Sequence, residues 1–205
     1  MIAIIDYGVG NIFSLASSFQ YIGAEAILSS DPAEIKAADR IVLPGVGAFG
    51  DAARKLKESG MEAVVLEEAA AGKPLLGICL GMQLLFEKSF EYGEHKGLGL
   101  IPGKVVTMEG VIPADYKVPH IGWNQLLFPK DKEKSPIFKY LSEGDFVYFV
   151  HTFYGTDCDR STIASAEYGA LLTAAVARNN VYGVQFHPEK SGETGMKILK
   201  AFCEL

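Results

Sequence analysis

The hydrophobic positions of the chain fall into two regimes. In the first, short apolar runs alternate with stretches of helical period. Met1 to Ile5 is a hydrophobic strand that runs into the turn DYGVGN, and Ile12, Leu15, Ala16, Phe19 and Ile22 then recur at helical spacing until Gly23. Glu25 to Leu28 reads as a second strand. Asp31 caps a short helix that opens at Pro32, and Arg40 to Leu43 is a third strand leading into PGVGAFGD. Helical patterns follow over Asp51–Lys57 and Met61–Ala71. Pro74 then introduces a buried strand, Leu75 to Ile78, and Met82, Leu84, Leu85 and Phe86 form the apolar face of the next helix. Such alternation predicts a parallel α/β sheet with helices on both faces.

From Gly97 to Phe186 the helical period disappears. Short β-rich runs take over at Gly103–Met108, Gln125–Phe128, Asp145–His151, Ile163–Glu167, Leu172–Arg178 and Val181–Phe186, and Asn179-Asn180 between the last two predicts a tight hairpin. The expected sheet is therefore mixed, with a parallel first half and an antiparallel second half. A helix over Thr194–Cys203 packs back on it. Pro129 to Ser135 reads as a solvated charged turn.

With 205 residues the chain is expected to form one domain, spanning 1–205. Its 49% hydrophobic and 21% charged residues describe a globular chain, and no run approaches the roughly 20 apolar residues of a membrane span. MIAII has no basic region before it and reads as a first strand rather than a secretion signal, so the expected setting is cytoplasmic, without a membrane. A net charge of −6 removes the basic footprint of nucleic-acid binding. Cys79, Cys158 and Cys203 are too few and too widely spaced for a disulfide framework or a C-x-x-C metal site.

Three stretches carry candidate chemistry. In GICLG, Cys79 stands between a strand and a helix, with Gly77 and Gly81 as the small neighbours that a strained elbow needs. A sulfur there faces the unpaired N–H groups at the start of the helix, which suits a nucleophile. A buried structural cysteine is the alternative. In PGVGAFG, Gly45, Gly47 and Gly50 match G-x-G-x-x-G, but the strand that should end in a ribose-binding acid ends in Cys79 instead. The loop fits an oxyanion hole better, with one N–H from Val46 or Gly47 and another from Leu80; a plain glycine turn is the alternative. In QFHPEKS, His187 and Glu189 sit two apart after an extended run and so project to the same side, as a base and the acid that orients it. His151 is expected to line the pocket or gate it, His120 to be structural or partner-facing, and His95 to be a solvated loop residue.

PGVG, GICLGMQ and FHPEKS, in that order, resemble the class I (triad) glutamine amidotransferases. DYGVGN, PGVGAFG, PHIGWN, YFVHTFY and GVQFHPEKS are most similar to the glutaminase subunits of imidazole glycerol phosphate synthases. The resemblance implies a single-domain, flavodoxin-like amidotransferase fold and glutamine hydrolysis through a thioester on Cys79. It implies no cofactor and no metal. The ammonia would pass to a separate (β/α)₈-barrel cyclase subunit, the partner in a heterodimer of histidine biosynthesis.

By position the resemblance implies Cys79, His187 and Glu189 as catalytic residues, Val46, Gly47 and Leu80 as oxyanion donors, and Gln83, Glu91, Thr152 and Phe153 as glutamine-binding. Gln83 lies one helical turn beyond Cys79, and an ionised Glu91 suits an ammonium group. Asn11, Trp123, Tyr148 and Lys190 fall where the family meets its partner or gates the ammonia path. Phe153 departs from the family's tyrosine, with Tyr154 next to it. A stand-alone cysteine hydrolase of γ-glutamyl or related amide bonds, and a non-catalytic binding module, are the competing functions.

Overall fold

A computed structural model describes residues 1–205. The strands are β1 (Ile2–Ile5), β2 (Ala26–Ser29), β3 (Arg40–Leu43), β4 (Leu75–Ile78), β5 (Phe86–Ser89), β6 (His95–Lys96), β7 (Ile101–Thr107), β8 (His120–Gln125), β9 (Phe146–His151), β10 (Phe153–Thr156), β11 (Thr162–Glu167), β12 (Leu171–Arg178) and β13 (Val181–Val184). The helices are α1 (Ile12–Tyr21), α2 (Pro32–Ala37), α3 (Phe49–Glu58), α4 (Met61–Ala70), α5 (Leu80–Leu84) and α6 (Gly192–Cys203).

The central sheet has seven strands in the order β11-β12-β13-β4-β3-β1-β2. From β13 through β2 it is parallel, and β11 and β12 extend it antiparallel. Every residue of β1 is buried, as expected of a parallel strand covered on both faces. Alternate residues divide between two cores. Ala3, Ile5, Ile41 and Leu43 pack with α2, α3, α4 and α5, while Ile2, Ile4, Val42 and Ile78 pack with Leu15 and Phe19 of α1 and Ile198, Leu199 and Phe202 of α6. The Asp31 side chain accepts from the Ala33 N–H at 2.8 Å and starts α2. Arg178 pairs with Val181 across Asn179-Asn180, with Asn179 at φ +55°, which makes the expected hairpin.

The second half departs from a single sheet. The antiparallel part of the central sheet comes only from β11 and β12. Strands β10, β7, β5 and β6 form a separate four-stranded sheet, and β8 and β9 form a two-stranded ribbon. The helix after Cys79 stops at Leu84, and Phe86 begins β5 rather than continuing that helix's apolar face. A run such as Leu84-Leu85-Phe86 fits a buried helix or a buried strand equally well. Here the strand wins because Phe86 buries its ring between the two sheets, so close to the backbone that a Cβ on Gly155 would lie 2.3 Å from its Cζ. His95 is not a solvated loop residue. It belongs to β6 and its ring packs against Gly50 and Phe49. The run expected over Gln125–Phe128 forms its strand earlier, at His120–Gln125, and Leu127 keeps a single bridge to Ser165.

Candidate active site

Cys79 occupies the elbow between β4 and α5 with φ +55°, a left-handed conformation that costs a non-glycine residue of the order of 1–3 kcal/mol. The surroundings hold it there. The Cys79 N–H donates to the Val184 carbonyl at 2.8 Å, tying the elbow to the end of β13. A Cβ on Gly81 would lie 1.9 Å from the Leu43 carbonyl oxygen, and one on Gly77 would lie 2.7 Å from the Gly81 oxygen, so both glycines are required by close backbone approach.

The His187 Nδ1 donates to Glu189 Oε1 at 2.8 Å, and both side chains are buried. The carbonyl of Tyr148 on the ribbon accepts from the His187 N–H at 3.0 Å, and the Ser191 hydroxyl lies between the His187 carbonyl and the Tyr148 N–H. Burial disfavours the imidazolium, but the nearby Cys79 sulfur and the hydrogen-bonded Glu189 carboxylate, with the charge of each, outweigh it, raising His187 to about 9.

Cys79 and His187 line one cavity of about 350 Å³, together with Val46, Gly47, Leu80, Gln83, Glu91, Thr152, Phe153 and Lys190. That is room for an amino acid. Gly47 has φ +89°, and the Val46 and Gly47 N–H groups make no hydrogen bond within the chain. The start of this loop is clamped by Tyr7, whose hydroxyl donates to the Pro44 carbonyl at 2.8 Å. Burial, with the Cys79 charge adding to it, keeps that phenol protonated by raising it well above its ordinary range.

Glu91 is buried, and its Oε2 accepts from Phe49 N–H, the first amide of α3, at 2.7 Å. Burial raises the Glu91 carboxyl, and the Phe49 bond and His95 oppose the rise. The Gln83 amide nitrogen reaches both the Phe153 carbonyl and Gln185 Oε1 at 3.0 Å, which leaves Gln83 Oε1 for a ligand. The Phe153 carbonyl also lies 2.9 Å from His151 Nδ1, and the Thr152 carbonyl accepts from the Met108 N–H.

At 20% identity, PurLQS from Thermotoga maritima shares the fold with a TM-score of 0.75, over 99% of this chain and 97% of that one. A solved glutamine amidotransferase shares it with a TM-score of 0.75 at 17% identity, over 100% of this chain and 98% of that one. The family described as "Glutamine amidotransferase class-I" matches residues 3–205. This chain belongs to that family. Among named relatives, the imidazole glycerol phosphate synthase subunit HisH of Wolinella succinogenes is 46% identical over 100% of both chains. HisH of Lactococcus lactis subsp. lactis is 50% identical over 99% of this chain and 98% of its own length.

In this class I amidotransferase some expected site residues lie outside the cavity. Glu189 stands behind His187. Trp123 and Tyr148 face each other across the ribbon with ring centroids 6.1 Å apart, the tryptophan exposed. Asn11 is exposed at the start of α1 and makes no capping bond. His151 lines the cavity as expected, and His120 takes the structural of its two expected places, buried and stacked on Phe149 and Tyr168. Sequence reasoning passed over Tyr7, Gln185 and Tyr92, the last of which also lines the cavity. For Gln185 a signal existed: it is two residues before His187 in extended chain and so faces the same side. Nothing local marks Tyr7 or Tyr92. No helix is long and apolar enough to cross a membrane.

Proposed function

We propose that residues 1–205 act as one glutaminase domain that hydrolyses glutamine to glutamate and ammonia. The ammonia is delivered to a separate (β/α)₈-barrel cyclase subunit, which forms imidazole glycerol phosphate and AICAR in histidine biosynthesis in the cytoplasm. One observation carries the chemistry: a cysteine in a strained elbow shares a cavity with a buried imidazole that is hydrogen-bonded to a buried carboxylate. Glu189 accepts from Nδ1, which turns Nε2 of His187 toward the sulfur as the base.

The sulfur, its proton already held by His187, attacks the side-chain carboxamide carbon of glutamine as a thiolate. Negative charge collects on the amide oxygen, where N–H groups of Val46, Gly47 and Leu80 receive it. His187 then passes the proton to the departing nitrogen, the carbon–nitrogen bond breaks, and ammonia leaves behind a thioester. Water, activated by His187, attacks that thioester, and glutamate departs with the sulfur restored. Glu91 and the oxygen of Gln83 receive the glutamine ammonium group, Thr152 and Phe153 shape the pocket wall, and Asn11, Trp123, Tyr148 and Lys190 meet the partner. The full-length likeness to HisH subunits supports the partner assignment.

The test follows amide-¹⁵N glutamine into product with the chain mixed with the cyclase subunit. Labelled product and its loss in Cys79→Ala are expected. Equal glutamine turnover with and without the partner, or steady cleavage of γ-glutamyl peptides by the isolated chain, would point to a stand-alone hydrolase.

A further inference from the structure

His187 takes the proton from the Cys79 sulfur and faces the charge left there as an imidazolium, and the oxyanion donors serve the substrate's oxygen; a second, neutral group also reaches the sulfur. Gln185 faces that sulfur. It is fully buried, its Nε2 lies 3.8 Å from Cys79 Sγ, and its Oε1 lies 3.0 Å from Gln83 Nε2.

The orientation of both amides follows from a single backbone oxygen. Gln83 Nε2 also lies 3.0 Å from the Phe153 carbonyl, which can only accept, so Gln83 must turn its NH₂ toward it. That same NH₂ faces Gln185, so Gln185 presents its carbonyl to Gln83 and its NH₂ to the sulfur. A reversed Gln185 would set two NH₂ groups against each other.

The Phe153 carbonyl is itself braced. His151 Nδ1 donates to it at 2.9 Å, and His151 Nε2 therefore accepts from His120 Nδ1 at 3.2 Å. Burial lowers each imidazole to about 4, so both are neutral, as those bond directions require. The brace thus runs from a neutral histidine pair through a main-chain carbonyl and two amides to the reacting atom.

We propose that Gln185 is a further catalytic residue, whose amide N–H donates to the Cys79 sulfur while that sulfur is anionic. It acts before attack, and again when the thioester carbon–sulfur bond breaks and the electron pair returns to sulfur. This rests on Cys79 being the nucleophile. A hydrogen bond to an ionised group is strong enough that its removal costs roughly ten- to a hundredfold in the rate of a step that needs the ion.

The experiment uses iodoacetamide, which is neutral and requires no glutamine pocket, on the full chain at pH 7.5. Alkylation of Cys79 is followed by mass spectrometry, with Cys158 and Cys203 as references within the same molecule. Gln185→Glu keeps an acceptor for Gln83 but turns an acceptor toward the sulfur, and Gln185→Met keeps the length with no donor. Circular dichroism shows which variants fold. Each folded variant is expected to alkylate at Cys79 about ten- to a hundredfold more slowly than the wild type, with Cys158 and Cys203 unchanged. A Glu variant as fast as the wild type would reduce Gln185 to a brace for Gln83 and overturn the proposal, and so would a Met variant at wild-type rate. If wild-type Cys79 reacts no faster than Cys158 and Cys203, the nucleophile assignment fails first and takes this inference with it.

Discussion

The raised His187 makes the stability of the fold depend on pH in a direction set by the site. Its ordinary value of 6.5 applies to the unfolded chain, and the folded value is about 9. A group raised by folding binds its proton more tightly in the native state, so its contribution is complete below pH 6.5 and is lost as pH rises through 9. The difference of about 2.5 units corresponds to about 3 kcal/mol at 1.36 kcal/mol per unit, and the side chain is only 4% exposed, so solvent screening removes little of it. Urea unfolding of the wild type and of His187→Asn at intervals between pH 6 and pH 9.5 measures it. The wild-type advantage attributable to the charge should be greatest at pH 6 and decline through the interval. Glu189→Gln should shrink it, because one of the two groups holding the imidazolium is gone. A difference between wild type and His187→Asn that stays flat over this range would refute the claim that the folded site favours the charged ring.

Other outcomes follow from single contacts. Tyr7→Phe removes the hydroxyl that holds the Pro44 carbonyl; it should cost about 1 kcal/mol of stability in urea and lower kcat for glutamine more than it raises KM, since the clamp positions the oxyanion loop. Glu91→Gln keeps an oxygen for the Phe49 N–H but loses the charge, so KM for glutamine should rise tenfold or more with kcat nearly intact, as steady-state kinetics would show. Phe86→Ala should destabilise by about 3–5 kcal/mol and lower Tm by about 6–20 °C in calorimetry, because the fully buried ring joins the two sheets.

The parallel half of the fold was readable because its strands are short, apolar on both faces and separated by stretches of helical period. Arg40–Leu43 and Leu75–Ile78 form where the pattern places them, and Asp31 caps the helix it announces. The division of the later β-rich residues into a second sheet and a ribbon was not readable. Period-two patterns fix which residues face inward but not which strand is the neighbour, and β5 pairs directly with β7 although β6 lies between them in sequence. The elbow and the His187–Glu189 pair were legible from local spacing. The Gln83–Gln185 contact joins residues 102 positions apart and His120–His151 joins residues 31 apart, so only folding reveals them.

The tie between the ribbon and the base is a bond between main-chain atoms, from the His187 N–H to the Tyr148 carbonyl. Such a tether is indifferent to which side chain stands at either end, and only a proline at 187 could cut it. A load on the exposed Trp123 edge of that ribbon therefore has a path to the imidazole that point substitutions of the surface leave standing. Relatives could redesign the whole outer face of the ribbon without disconnecting it.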